Sequence, residues 1–347
     1  MECVYKKFRL VNEQIDYLRK YKKISVTHDD EPYFTERNYI ELINPYKELI
    51  CSGRDKNGNH IYKNQIGFSS ILELSKIDDY ICDRLFPLIR SFEKRFRNAI
   101  VHEVCTNFLN SKYTDKFGIA YVTDIATILD GGESEGSVIA PNLKYVLTRN
   151  GYNPDDENRI HNKKNLLNKL LQIGTGNQTG YKTNRLIQNA VKSQGIAPFW
   201  LIASVLDFGD LQLLFSMQEK SVQERIIQFL KEAEKSQPLS TRDIFRFMGR
   251  VERIRKMRNA VNHYVPIFPL LLGQVQKKME DDQDVQAISL LKNLDSHWTG
   301  QGARCIADAA QLININRQTE TLYGIQITNF NRLKFMKLKG ILRILEK

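Results

Sequence analysis

Seven positions in one stretch, Ile244, Phe247, Val251, Ile254, Arg258, Val261 and Val265, follow a 3-4 spacing, and six of them are apolar. A core-facing helix requires such a stripe, so this stretch is committed to a long helix packed on one side. Ser240-Thr241-Arg242-Asp243 supplies N-cap residues for its start. Pro266 ends it, because the residue before a proline is pushed out of the helical region. The exception within the stripe is Arg258. A guanidinium keeps its charge, and burying it unpaired is costly. Arg258 must therefore face a carboxylate, an interface or a bound phosphate.

The same periodicity runs along most of the chain and predicts an all-α fold. Helical stretches are expected at Phe8–Lys23, at Thr35–Ile50 and from Phe68 to Leu109, the last broken or kinked at Pro87. Pro198–Ser216 reads as a buried helix pair hinged at Phe208-Gly209-Asp210, and the tail after Asn331 as a basic amphipathic helix. Ser52–Gly67 is a loop or small hairpin. The strongest breaks, Asp130–Ser137 and Arg149–Arg159, suggest a division into an N-terminal helical region 1–130, a linker or surface excursion 131–160, a second helical region 161–280 and C-terminal basic helices 281–347.

Charge narrows the partners. The chain has 51 Lys and Arg against 40 Asp and Glu, a formal net charge of +11. That balance favours polyanions, since each neutralised phosphate releases counterions. No apolar run approaches the roughly 18 residues that span a membrane, and the first residues lack the apolar segment of a secretory signal. The five cysteines are odd in number and form no CxxC pair, which points to reduced thiols in the cytoplasm rather than disulfides or a zinc site. The doublets Asp78-Asp79, Asp155-Asp156 and Asp281-Asp282 sit beside breaks or helix ends and are expected to be solvated, so no two-metal nuclease is indicated. Gly174-Thr175-Gly176 is too short for a phosphate-binding loop. No metal and no cofactor are expected.

Against that background, one hexapeptide pattern occurs twice: Arg97-Asn98-Ala99-Ile100-Val101-His102 and Arg258-Asn259-Ala260-Val261-Asn262-His263. These copies use two of only six histidines. Imidazole can take the proton of an RNA 2′-hydroxyl or protonate the leaving 5′-oxygen. Arginine and asparagine can grip the non-bridging oxygens as charge builds. Together they suit metal-free cleavage to a 2′,3′-cyclic phosphate. Asn259 and His263 lie roughly 40° apart on an ideal helix, but Arg258 and His263 roughly 140° apart. They share one phosphate only if the helix ends there or a second motif completes the site. Arg97 falls roughly 120° from the apolar line of its own helix, so it reads as a solvated arginine or as part of a second half-site with Asn98 and His102.

Basic residues interleaved with amides and Tyr181 suit phosphates and unstacked bases. An RNA path is expected over Arg159, Lys163, Lys164, Lys169, Lys182, Arg185 and Lys192, and along the tail at Lys334, Lys337, Lys339 and Arg343.

Three passages carry a family resemblance. Asn38-Tyr39-x-x-Leu42-Ile43-Asn44-x-Tyr46-Lys47, then Pro198-Phe199-Trp200-Leu201 with Phe208-Gly209-Asp210, then Arg255-x-x-Arg258-Asn259-x-x-x-His263, follow one another in order. In this the chain resembles the abortive-infection (AbiD/AbiF-like) family of bacterial phage-defence proteins within the HEPN superfamily. The resemblance implies a HEPN-like helical bundle with additional helices and basic insertions. It also implies a metal-independent endoribonuclease with Arg258, Asn259 and His263 as its site. Two such signatures usually meet across a homodimer or between domains, and relatives are associated with small noncoding RNAs. Asn262-His263-Tyr264-Val265-Pro266 departs from the commoner continuation. The alternative is a non-catalytic RNA-binding protein that forms a ribonucleoprotein with a small RNA. No membrane partner is expected.

Overall fold

The computed structural model describes residues 9–109, 145–148, 151–154, 157–176, 184–195, 197–231, 238–273, 282–295, 321–322, 325–326 and 328–346. In chain order the longer helices are α1 (Val11–Tyr17), α2 (Phe68–Leu109), α3 (Glu157–Gly174), α4 (Arg185–Gln194), α5 (Phe208–Ser216), α6 (Lys220–Lys231), α7 (Thr241–Asn262), α8 (Phe268–Leu272), α9 (Gln283–Asp295) and α10 (Arg332–Glu346). Among the described residues strands occur only in short pairs. The fold is all-α. None of the described helices is long and apolar enough to cross a membrane.

Two compact units emerge, one from residues 1–89 with 256–347 and one from residues 90–255. This plan departs from consecutive regions because α2 and α7 each pass from one unit into the other. Of the expected linker 131–160, most lies outside the described residues. Its described parts are the hairpin Tyr145–Thr148 with Gly151–Pro154 and the start of α3.

In the first unit, Ile71, Leu74, Ile77, Ile81 and Leu85 of α2 are buried at helical spacing, as are Phe268 and Leu271 of α8 and Leu338, Ile341 and Leu342 of α10. Thr35–Ile50 is not one helix but separate turns at Tyr33–Glu36, Tyr39–Leu42 and Lys47–Ile50. Arg37 and Tyr46, between those turns, have left the regular helical ladder, and Leu42, Ile43, Tyr46, Leu49 and Ile50 are still buried. Ser52–Gly67 forms the expected hairpin, with Gly53 opposite Ile61 and Arg54 opposite His60.

The second unit is organised around rings. Phe92, Phe96 and Phe208 lie 5.6 to 6.1 Å apart, and Phe96, Phe215 and Phe247 continue the cluster at 5.6 to 6.3 Å. Such stacked, tilted and edge-on pairs add to the stabilisation from the area that they bury. α2 passes through Pro87 as one helix instead of breaking. A proline inside a helix costs roughly 3 kcal/mol, and burial of Leu85, Leu88, Ile89 and Phe92 around it outweighs that. The hinge before α5 falls at Asp207, slightly earlier than expected. Its carboxylate accepts from the Asp210 N–H while Asp210 accepts from the Asp207 N–H, a reciprocal cap.

Candidate active site

α7 follows its sequence pattern for most of its length: Ile244, Phe247, Val251 and Ile254 are buried. Towards the C-terminus the buried line turns to Met257, leaving Arg258 and Val261 half-buried and Val265 52% exposed. Arg258 therefore sits at the rim of the core, and Asn259 and His263 are exposed.

The helix stops as its sequence demands, but by an unusual residue. The Val265 N–H donates to the Ala260 carbonyl at 3.0 Å, and the Tyr264 N–H to that of Val261 at 3.4 Å. These are the two bonds of a Schellman motif, with His263 as the C-cap residue. The next position takes left-handed backbone and usually holds glycine or asparagine. Here it holds Tyr264, at φ 54° and 94% exposed. A bulky residue in that region is strained by roughly 1–2 kcal/mol. The tyrosine side chain buries almost nothing in return.

Just beyond the cap, Asp78 of α2 accepts the N–H groups of Ile267 and Phe268 at 3.0 and 2.9 Å. It thereby caps α8 and fixes the chain four residues after His263. Asp78 is 2% exposed, which corrects the expectation that it is solvated, whereas Asp79 is exposed as expected. Burial pushes the Asp78 carboxyl up to about 7 against the lowering effect of the two N–H donors, and Asp79 raises it further. Asp282 is likewise buried, because it caps α9 through the N–H groups of Asp284 and Val285.

The first copy lies in the C-terminal third of α2, within the second unit. Arg97 is not solvated: Nη2 donates to the Leu206 carbonyl at 3.1 Å and to Glu93 at 3.2 Å. His102 points elsewhere. Its Nδ1 meets Glu103 Oε1 at 3.0 Å, and its ring lies 5.0 Å from that of Phe229. Glu103 is buried and also accepts from Arg225 Nε at 3.0 Å. Asn98 is exposed.

The expected RNA path fares unevenly. Lys169 donates to Asp210 at 2.5 Å, and Lys334 to Glu48 at 2.5 Å. Lys337 is 1% exposed, between Asp282 at 2.8 Å and Asp284 at 3.0 Å. Their ammonium groups are spent on carboxylates inside the fold, so Lys337 presents nothing to solvent and Lys169 and Lys334 little. Arg185 and Lys192 are exposed and Lys339 is half-buried. Tyr181 and Lys182 lie outside the described residues, as do the side chains of Lys163 and Lys164.

One group among the described residues could hold a metal: Glu48, Cys51 and His60, with ligand atoms within 4.8 Å of one another. Its chemistry argues for an anchor instead. Glu48 Oε1 accepts from Arg54 and lies 2.6 Å from His60 Nε2, while Oε2 accepts from Lys334. Burial would raise this carboxyl, but the bonds from Lys334 and His60 bring it down to about 2. Burial, with the Glu48 charge, pushes the Cys51 thiol up. A dication would have to displace two cations and deprotonate that thiol.

The sequence model of the Abi-like protein family matches residues 32–269. That span contains both hexapeptides, the Asp78 cap and the whole of α7. No curated protein and no solved structure matches the chain.

Proposed function

Because the chain belongs to the Abi-like protein family, which gives it an abortive-infection role in phage defence, we propose that it acts there as a HEPN-type, metal-independent endoribonuclease whose site is Arg258, Asn259 and His263. The observation that carries this reading is the end of α7. An exposed imidazole forms its C-cap, one turn after an exposed Asn259 and a rim-placed Arg258. The helix stops just after the histidine, whose N–H still donates to the Asn259 carbonyl, so Arg258 and His263 keep the roughly 140° offset of a helix and a second element is needed to complete the site.

In the proposed reaction, His263 takes the 2′-hydroxyl proton and the 2′-oxygen attacks phosphorus. The bond to the 5′-oxygen breaks, and that oxygen takes the proton back from the His263 imidazolium. The products are a 2′,3′-cyclic phosphate and a 5′-hydroxyl. Imidazole is the side chain that most often serves as a general acid or base in such a step. Arg258 and Asn259 donate to the phosphorane oxygens. Tyr264 offers a flat face beside the reacting nucleotide. A small noncoding RNA is proposed as the bound regulator, in keeping with the net charge of +11. A second chain is proposed to complete the site. The Glu103-oriented ring of His102 favours a secondary role for the first copy.

The test uses the full-length protein, end-labelled single-stranded RNA and EDTA. Cleavage with cyclic phosphate ends is expected, and His263→Ala should abolish it while the circular dichroism spectrum is unchanged. Cleavage that survives this substitution, or that requires Mg²⁺, overturns the reading. RNA binding without any cleavage by the unmodified protein leaves the ribonucleoprotein alternative.

A further inference from the structure

Residues 9–23 hold five basic and two acidic side chains, with two tyrosines among them. α1 covers Val11–Tyr17, and the next residues, Leu18–Lys22, form one turn of π-helix, closed by the Lys23 N–H on the Leu18 carbonyl five residues back. Such turns are rare and gather at functional sites. Lys23 then takes left-handed backbone at φ 57°, which disfavours a side chain. The hook is held from within. Leu18 and Ile24 are fully buried, the Lys23 carbonyl accepts from the Ile66 N–H at 2.9 Å, and Arg19 donates twice to the Val26 carbonyl, at 3.2 and 2.8 Å.

What the hook leaves outside is aromatic and cationic. Tyr21 is 59% exposed, with its ring 5.2 Å from that of the half-buried Tyr17. Arg9 lies over the Tyr17 ring at 4.4 Å and Lys20 over the Tyr21 ring at 5.3 Å. Arg9, Lys20 and Lys23 are exposed, and among the described residues no carboxylate forms an ion pair with any of them. The two acids of the segment are engaged elsewhere: Glu13 accepts from the Leu10 N–H at 2.9 Å, and Asp16 stands 3.9 Å from Arg19. Lys22 is spent on the buried Tyr62, whose hydroxyl accepts from it at 3.3 Å. A ring attracts a cation without cancelling its charge. Arg9, Lys20 and Lys23 therefore keep their attraction for phosphate.

We infer that this hook binds single-stranded RNA, with an unpaired base stacked on Tyr21 and the neighbouring phosphates held by Lys20 and Lys23. Stacking on an aromatic side chain tolerates any base, because every base has a π-face. Lys20 has a flexible stem, so it leaves the ring for a phosphate as a base takes its place. The π-turn and the left-handed Lys23 fix the backbone beforehand, which spares part of the ordering cost of binding. Only the identity of the polyanion rests on the ribonuclease reading. The residues that make this contact are other than Arg258, Asn259 and His263, with which they share a compact unit. They also lie ahead of residues 32–269, the span that the family model matches. The signal stood in the sequence as Tyr17-Leu18-Arg19-Lys20-Tyr21-Lys22-Lys23, where aromatic and basic residues interleave.

Fluorescence anisotropy tests it, with the full chain titrated into a labelled 2′-O-methyl RNA of about 20 nucleotides between about 50 and 200 mM salt. That RNA has no 2′-hydroxyl to react, so binding is read without cleavage. Tyr21→Ala should weaken binding roughly tenfold with little change in the salt slope, and Tyr21→Phe should restore it. Replacing Lys20 and Lys23 together by glutamine should lower the slope of log affinity against log salt by about 1.4, near 0.7 for each lost phosphate contact. Should that pair not fold, Lys20→Gln alone must lower the slope by about 0.7. Unchanged affinity and slope in these variants overturn the inference and leave the ribonuclease reading intact, since cleavage by the His263 variant tests that reading separately. Equal losses in Tyr21→Phe and Tyr21→Ala also overturn it, because stacking does not need the hydroxyl. Polyglutamate that displaces the RNA at matched charge assigns the hook to an acidic protein and overturns it too. A full chain that binds neither this RNA nor its unmodified counterpart sinks both readings.

Discussion

The two hexapeptides share four of their six residues, yet they end as different objects. Copy one lies inside a 42-residue helix, where Arg97 and His102 must point apart, and they do. Arg97 bonds the Leu206 carbonyl and Glu93, and His102 bonds Glu103. Copy two lies at a helix terminus, where the backbone turns at the histidine and a strained tyrosine follows. The residue after each histidine marks the contrast: Glu103 is 7% exposed and Tyr264 is 94% exposed. What such a motif presents to solvent is set by where the helix ends, not by its letters.

The largest expected effect tests that contrast directly. His263→Ala should lower RNA cleavage by a factor of about 10² to 10⁴, the usual contribution of a general acid or base. His102→Ala should lower it by less than about tenfold, since Glu103 can hold a ring that orients but does not react. Equal losses would break the comparison and make the copies equivalent halves of one site. Single-turnover rates with end-labelled RNA decide between them.

Asp78 comes next, because the position of copy two depends on it. Asp78→Ala leaves the N–H groups of Ile267 and Phe268 without their acceptor, at a cost of about 3 kcal/mol in denaturant unfolding. Its pH dependence has a defined sign. The folded carboxyl lies at about 7 rather than its ordinary 3.8. A raised acid stabilises the fold below the ordinary range, and that contribution is lost as pH rises through about 7. Relative to Asp78→Asn, the unmodified protein should therefore lose up to a few kcal/mol between pH 4 and 7. A pH-independent difference would show that the two N–H bonds offset burial.

How much of this was legible follows from the range of the interactions involved. Local spacing showed α7, its cap at Ser240 and its stop before Pro266, because helical period, capping and proline sterics act within one or two turns. It also showed that Arg258 could not be buried like its stripe. Partners distant along the chain were not legible. Lys334 meets Glu48 across 286 positions, and Ile267 meets Asp78 across 189. Nothing near Lys334 or Asp78 in sequence distinguishes them from solvated charges. Whether Pro87 would break α2 was not legible for the same reason: the burial that keeps the helix unbroken is tertiary.

A smaller effect separates the two arginines. Arg97→Leu removes the donor to a carbonyl on the 2%-exposed Leu206, so it should cost about 2 kcal/mol of stability and change cleavage only in proportion to the folded fraction. Arg258→Leu should do the reverse, cutting the cleavage rate by about 10² with a smaller change in the denaturation midpoint. Matched unfolding and cleavage measurements on both variants sharpen the comparison. A cleavage defect in Arg97→Leu beyond its stability loss would return that copy to the active site.

The smallest effect is the one that explains the unusual cap. Tyr264→Gly relieves roughly 1–2 kcal/mol of left-handed strain but frees the unfolded chain by roughly 0.5–1 kcal/mol. A net stabilisation of about 0.5–1 kcal/mol is expected from urea unfolding. The tyrosine ring is 94% exposed, so almost no packing is lost to offset this. A strained residue that packs against nothing within the fold motivates a test for an outside contact. The same variant should therefore bind RNA several-fold more weakly and cleave it more slowly, while Tyr264→Phe keeps both the strain and the activity. The equivalent change in copy one, Glu103→Gly, should only destabilise, because Glu103 is held by Arg225 inside a continuous helix. Opposite signs of the stability change at these two positions are what the different ends of the two hexapeptides require.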